Sequence, residues 1–209
     1  VDQSIYFRLL ELMERHPNNV VQLEHALTVL SGHTPTKVNS HPRCIWSSTA
    51  QEDGDNTWFA RSFEISGKVK RGELIITCDN EFEAYINGKR VAASANWQKP
   101  LRVDITAALQ SNENLIAIAG KNIDGPAGLV ATVSWTTDDK KTGRIVTDPK
   151  WRYTKIPPKD WQVHGTAKGN WNFSIDVTAP TRNAIAAFSS FTGISANGDP
   201  LAVQEYSSL

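Results

Sequence analysis

The chain has 209 residues, of which 40% are apolar and 21% charged, and its 22 basic and 22 acidic residues leave no formal net charge. This composition is typical of a globular protein and excludes wholesale disorder. Because phosphates and anionic membrane surfaces attract a basic excess, the neutral balance disfavours a nucleic-acid partner and membrane-surface attachment. No apolar run approaches the roughly 20 residues that a membrane span needs. The start at Val1 rather than Met indicates a processed mature protein or a piece of a longer one.

The first 32 residues have a helical pattern. Apolar residues recur at helical spacing on both sides of a break at Pro17, and Gly32 is a suitable stop. We therefore predict an α-helical hairpin at 1–32. Two short helices are marginal alone, so their apolar faces must pack on the rest of the protein or on a partner chain. The candidate interface residues are Ile5, Leu9, Leu12, Leu23 and Leu27.

From Trp58 onward the pattern becomes β, after a predicted connector at 33–57 that is rich in loop residues. Many short strands joined by turns indicate a two-sheet sandwich, which we place at 58–165 and follow with an extended tail at 166–209. The predicted strands are 58–65, 73–78, 82–87, 89–92, 101–104, 114–120, 129–136, 143–147 and 151–154.

The Asn87-Gly88 pair is the strongest turn signal in the chain, since both residues tolerate the positive φ that a tight hairpin turn needs. Trp58, Trp135 and Trp151 lie in strands and are predicted to point into the core. The two cysteines, Cys44 and Cys78, are predicted either as a disulfide or as buried thiols.

The order and spacing of several motifs resemble a known family. The stretch WFARSF at 58–63 precedes LIITCDNEFEAYINGK at 74–89, and further matching pieces are Trp97, NENLIAI at 112–118, GPAGL at 125–129, TDPKWR at 147–152 and Trp161. About residues 58–161 resemble the galactose-binding-domain-like jelly-roll module. This module is similar to the β-sandwich domains of glycoside hydrolase family two and bacterial α-rhamnosidases, and to modules of large secreted bacterial cytochrome-linked multidomain proteins.

The resemblance implies a mainly β protein with an antiparallel jelly-roll β-sandwich (galactose-binding-like) and a periplasmic or secreted, hence extracytoplasmic, setting. It does not fix function, because the fold hosts sugar binding, protein docking and scaffolding.

Catalytic and metal-binding patterns are weak in this sequence. Glu81 and Glu83 share one strand face by alternation and are predicted as solvated carboxylates rather than a glycosidase pair. The five histidines show no metal-ligand spacing. We therefore predict no enzyme, no catalytic residue, no metal and no cofactor, with calcium at Asp79-Asn80 as the alternative.

Sugar recognition uses an aromatic face and planar polar side chains. Trp97 lies between Asn96 and Gln98, and Asp79 and Asn80 supply further polar groups in the same β region. The alternative interpretation is that Trp97 caps one end of the core and Asn96 makes a local turn bond. The first hypothesis is a non-catalytic module that recognises carbohydrate or protein. The second is a structural subunit that assembles a complex through its hairpin, sandwich and tail.

Overall fold

The computed structural model describes residues 42–48 and 52–177. The described residues belong to one compact unit. The predicted helical hairpin at 1–32, with its five candidate interface residues, and most of the predicted tail lie outside them. Within the described residues, no helix is both long and apolar enough to cross a membrane.

The described residues form a mainly β protein with two six-stranded sheets, in which every strand pair is antiparallel. The strands are β1 (Ile45–Trp46), β2 (Asn56–Ile65), β3 (Val69–Asp79), β4 (Glu81–Ile86), β5 (Lys89–Ser94), β6 (Leu101–Asp104), β7 (Asn112–Lys121), β8 (Gly128–Thr137), β9 (Thr142–Val146), β10 (Arg152–Thr154), β11 (Asn172–Phe173) and β12 (Ile175–Asp176). The first sheet has the order β12-β1-β8-β3-β6, and β9 also pairs with β8. The second sheet has the order β11-β10-β2-β7-β4-β5.

Alternation along the strands builds one hydrophobic core that both sheets share. In β4, every second side chain is buried, while the others are partly exposed. Leu74 and Ile76 of the first sheet belong to the same buried cluster as Phe59 and Ile118 of the second. Side chains of one face of each sheet therefore meet in a sandwich-like arrangement.

The predicted hairpin turn is confirmed. Asn87 and Gly88 connect β4 to β5 with φ angles of 50° and 81°. Both values lie in the left-handed region, which asparagine and glycine tolerate better than other residues.

The predicted core positions of the three tryptophans are confirmed for Trp151, which is 1% exposed, whereas Trp135 is half-buried against the core. The prediction is wrong for Trp58. This residue packs against a second cluster that includes Ala60 and Trp161. Trp58 neighbours the buried Phe59 in β2, so alternation directs the two side chains to opposite faces.

The two cysteines are buried thiols rather than a disulfide. Burial raises the pKa of the Cys78 thiol, and the nearby Cys44 and Asp79 add to that shift. A thiol with a raised pKa is rarely ionised at neutral pH, so Cys78 acts as a small apolar residue in the core.

Some regular structure lies in ranges that the sequence predicts as connector or tail. β1 falls within 33–57 and pairs with β8 and β12, while β11 and β12 fall within 166–209. A four-residue helix, α1 (Trp161–His164), lies before the tail. The domain boundaries themselves stay a prediction.

Candidate functional site

The end of β3 meets a loop that connects β7 to β8. Asp79 and Asn80, which a cis peptide bond joins, lie at this point. The Asn80 backbone N–H donates to the Lys121 carbonyl at 2.8 Å. The Asn80 Oδ1 atom accepts from the backbone N–H groups of Ile123 and Asp124, at 2.6 and 3.3 Å. The Asn80 side chain therefore ties the end of β3 to the 121–125 loop.

A second loop, 52–55, joins the same cluster. The Asn122 backbone N–H donates to the Asp55 carbonyl at 2.8 Å, and Gly54 N–H donates to the Ile123 carbonyl at 3.2 Å. The Gly125 N–H donates to the Asp53 carboxylate at 3.2 Å. These contacts fasten the 52–55 loop to the 121–125 loop. We call Asp79, Asn80 and Asn122, with these two loops, the Asp79 site.

Two oxygens of the Asp79 site lack a hydrogen-bond donor. In the described part of the chain, three buried side-chain polar atoms have no hydrogen-bond partner: Asp79 Oδ1, Asn122 Oδ1 and, elsewhere, the Ser174 hydroxyl. A buried acceptor without a donor costs about 1–3 kcal/mol, so such atoms are rare in folded proteins. Both oxygens of the Asp79 site accept the kind of donor that a buried water or a ligand hydroxyl supplies.

The environment of Asp79 also perturbs its ionisation. Burial raises the pKa of the Asp79 carboxyl to about 6, and the neighbouring Asp124 carboxylate adds to the shift. Asp79 as a whole residue is half-buried, whereas its Oδ1 atom is buried. At neutral pH the group is mostly ionised, and it therefore acts as an acceptor of hydrogen bonds.

Asn122 is the residue of this site that the sequence does not single out. It is fully buried, and both hydrogens of its side-chain amide are used, since Nδ2 donates to the carbonyls of Glu52 and Gly125 at 3.1 Å each. These two bonds fix the orientation of the amide, and in that orientation no described residue donates to Oδ1. In sequence Asn122 is a polar loop residue two positions before Asp124-Gly125, and only the fold shows that it is buried.

The Trp97 loop, residues 95–100, lies beside the same end of β3. The Thr77 hydroxyl donates to the Trp97 carbonyl at 2.7 Å. Thr77 precedes Asp79 by two residues on the same face of β3, a distance of about 7 Å along a strand. The structure therefore brings two of the predicted groups, Asp79-Asn80 and the Trp97 loop, to neighbouring positions.

Within the Trp97 loop, the three predicted side chains differ in availability. Trp97 is half-buried, whereas Asn96 and Gln98 are exposed. The Asn96 Oδ1 atom accepts from the Gln98 backbone N–H at 3.0 Å, which is the local turn bond of the alternative interpretation. Among the described residues, Trp97 is not one of the partly buried side chains packed on the main core. Part of its indole is therefore accessible for stacking.

The acidic residues of β4 make structural contacts. Lys121 Nζ binds Glu81 at 3.2 Å, and Arg90 binds Glu83 at 2.7 Å. The Tyr85 hydroxyl donates to Glu83 at 2.6 Å, and this bond and Arg90 lower the pKa of the Glu83 carboxyl. Over the described ranges, no group of three or more histidine, cysteine, aspartate or glutamate residues is arranged to hold a metal ion.

No known protein-family model matches this chain. An α-L-rhamnosidase of Streptomyces avermitilis is 25% identical to it in an alignment 122 positions long, which covers 54% of this chain and 12% of that protein. The chain thus corresponds to a small part of this curated relative.

Solved structures show the same fold. The α-L-rhamnosidase of Streptomyces avermitilis, complexed with L-rhamnose, has a TM-score of 0.60 and 22% identity over 65% of this chain and 14% of its own. The α-L-rhamnosidase of Aspergillus terreus has a TM-score of 0.60 and 20% identity over 71% of this chain and 22% of its own. A lectin of Pleurotus ostreatus, in complex with GalNAc, has a TM-score of 0.59 and 23% identity over 69% of this chain and 45% of its own. The resemblance to α-rhamnosidase modules is confirmed.

Proposed function

We propose that this chain contains a non-catalytic carbohydrate-binding module of the galactose-binding-like jelly-roll type, with its ligand at the Asp79 site. The observation that carries the proposal is the pair of buried oxygens, Asp79 Oδ1 and Asn122 Oδ1, that have no donor in a loop cluster at the end of β3. A sugar hydroxyl is a donor of the size and polarity that such oxygens accept.

The side chains around the site have complementary roles. The ionised Asp79 carboxylate accepts sugar hydroxyls in charge-assisted hydrogen bonds, which are about twice as strong as neutral ones. The half-buried indole of Trp97 offers an apolar face to the C–H side of a sugar ring. Asn80 contributes mainly by holding the loop, because its Oδ1 already accepts two backbone N–H groups.

The similar proteins support this class of ligand and supply two test sugars. One of the structures with this fold is a lectin in complex with GalNAc, and another is an α-L-rhamnosidase in complex with L-rhamnose. This chain spans only 14% of that rhamnosidase, so we do not propose glycoside hydrolysis for it. We propose an extracytoplasmic setting, which the resemblance to modules of secreted proteins supports.

Calcium is the cofactor that fits the site in part. The two unpartnered oxygens, Asp79 Oδ1 and Asn122 Oδ1, are of the hard type that calcium prefers, but calcium takes about six to eight oxygen ligands. The described residues provide no cluster of three acidic, histidine or cysteine ligands. Binding is therefore to be measured both with added calcium and with a chelator.

Isothermal titration calorimetry with L-rhamnose and with GalNAc tests the proposal. We expect saturable binding of at least one sugar by the wild-type protein. Asp79→Ala should weaken it at least about tenfold, since a charge-assisted hydrogen bond is lost. Trp97→Ala should weaken it less, because stacking on a half-buried ring contributes less.

Asp138→Ala is the matched control. This carboxylate is half-exposed and forms only a 3.7 Å surface ion pair with Lys68, which contributes little to stability. Its sugar affinity should equal that of the wild type. The proposal is refuted if the wild-type protein binds neither sugar, with calcium or without it, or if Asp79→Ala and Asp138→Ala bind equally well.

A further inference from the structure

A lysine far along the chain holds the loop that fixes Asn122. Lys155 follows β10, and its Nζ contacts both carboxylate oxygens of Asp55 and donates to the Thr57 hydroxyl at 2.8 Å. The same Asp55 carboxylate accepts from the indole N–H of Trp46 at 2.9 Å. Trp46 is fully buried, so the Asp55 side chain is fastened to the hydrophobic core on one side and to Lys155 on the other.

Asp55 in turn sets the position of Asn122. The Asp55 carbonyl accepts the Asn122 backbone N–H at 2.8 Å, and the Glu52 carbonyl accepts one hydrogen of the Asn122 side-chain amide at 3.1 Å. Asp55 and Glu52 are themselves linked by a 3.3 Å hydrogen bond from the Asp55 N–H. A shift of Asp55 would therefore move two of the three carbonyls that hold Asn122, the third being that of Gly125.

The 121–125 loop, to which Asn122 belongs, also carries the groups that hold Asn80. Ile123 and Asp124, directly after Asn122, donate their backbone N–H groups to Asn80 Oδ1. Asp55 is therefore connected to the end of β3 through the segment 122–124, and its contacts help to position both Asn122 and Asn80.

We propose that Lys155 and Asp55 are positioning residues of the carbohydrate site, which hold the 52–55 loop so that Asn122 and Asn80 keep their binding orientation. The inference rests on the proposed function of the Asp79 site. Neither residue is assigned contact with the sugar. Their role is preorganisation, which increases affinity by lowering the cost of ordering the site on binding.

The Asp55–Lys155 pair differs from an ordinary surface ion pair. The Asp55 side chain is only 17% exposed, and its carboxylate also accepts the Trp46 indole N–H. Removal of the Lys155 ammonium would leave the largely buried Asp55 carboxylate with one of these two donors, the Trp46 indole N–H. A buried carboxylate that loses its cation is costly, and the side chain lowers this cost by moving towards water. We expect that movement to displace the 52–55 loop.

The experiment compares the full wild-type chain with Lys155→Met, Lys155→Arg and Lys159→Met. Lys155→Met removes the charge and keeps the length of the side chain, whereas Lys155→Arg restores a cation. Lys159 is an exposed lysine on the same segment and serves as the control. Titrations with L-rhamnose and GalNAc give the affinity, and hydrogen exchange of the Asn122 side-chain amide, followed by NMR, reports its orientation without any sugar.

We expect Lys155→Met to bind the sugar about five- to tenfold more weakly and to exchange the Asn122 amide hydrogens faster, since preorganisation is lost. Lys155→Arg should recover most of the sugar affinity and most of the protection of the Asn122 amide hydrogens. Lys159→Met should match the wild type in both measurements. If the wild-type protein binds a sugar and Lys155→Met binds it with the same affinity, the positioning role is refuted, whereas the proposed function of the Asp79 site is not. A wild-type protein that binds neither sugar refutes the proposed function, and the inference falls with it.

Discussion

Replacement of Asn87 by glycine separates two roles of the turn between β4 and β5. Asn87 has a φ of 50°, which glycine adopts without strain, so the turn itself is preserved in Asn87→Gly. The asparagine side chain makes three hydrogen bonds that glycine cannot make. Its Nδ2 donates to the Ala108 carbonyl and to Asn114 Oδ1, both at 2.9 Å, and its Oδ1 accepts the Leu115 N–H at 2.8 Å.

The expected loss of stability follows from these bonds. At about 1 kcal/mol per net hydrogen bond, three bonds amount to about 3 kcal/mol. Leu115 is 8% exposed, so its N–H pays a further desolvation cost when its acceptor is removed. The loss at Asn114 is smaller, because its side chain keeps two hydrogen bonds to the Gln110 backbone at 2.7 and 3.0 Å. We expect Asn87→Gly to lower the free energy of unfolding by about 2–4 kcal/mol.

Asn112→Gly is the matched control for this change. Asn112 also has a positive φ, 73°, and is exposed, but no side-chain hydrogen bond of Asn112 is present among the described residues. Its replacement should change stability by less than about 0.5 kcal/mol. Urea unfolding followed by tryptophan fluorescence measures both variants. Equal stabilities of the two variants would contradict this prediction and would show that Asn87 serves only the turn.

Two further predictions concern packing and pH. In Gly143→Ala, the new Cβ would lie 2.2 Å from Cζ2 of Trp135 on the neighbouring strand, so the indole must shift from the position in which it stacks on Phe63 at 5.3 Å. We expect a loss of about 1–3 kcal/mol in urea unfolding, as for other overpacked sites, and an unchanged stability would show that the indole moves at no cost. The second prediction uses the pKa of Asp79, which is raised from 3.8 to about 6 in the folded protein. Because the folded state binds this proton more tightly than the unfolded chain, the free energy of unfolding should fall as pH rises from about 4 to about 6 and then level off. In calcium-free buffer we expect this contribution to be about 1 kcal/mol after solvent screening and to be absent from Asp79→Asn; an identical pH profile in the variant would contradict the assignment.

Much of the β structure can be predicted from sequence because its signals are local. Alternation in β4 and the positive-φ residues Asn87-Gly88 depend on neighbours within a few positions. The incorrect core placement of Trp58 shows the limit of such patterns. Both faces of β2 carry large apolar side chains, and the second face is covered by a cluster that includes Trp161, about 100 residues away in the chain.

The candidate site is predictable only in part for the same reason. Asp79, Asn80 and Trp97 stand out as polar and aromatic residues near strand ends, and the structure places Asp79-Asn80 next to the Trp97 loop. Asn122 can be recognised as a site residue only from its burial and from the Glu52 and Gly125 carbonyls that accept both of its amide hydrogens. Contacts between residues as distant as Asp55 and Lys155 leave no trace in local composition.

NMR titration of the uniformly ¹⁵N-labelled protein with L-rhamnose and GalNAc tests sugar binding at the Asp79 site, since it locates the ligand. We predict saturable shifts confined to the Asp79 site and the Trp97 loop, above all in the backbone signals of Asn80, Ile123 and Asp124 and in the Trp97 indole signal. Shifts that cluster instead around the second cluster, which includes Ala60 and Trp161, or no saturable shift with either sugar in the presence or absence of calcium, would contradict this prediction.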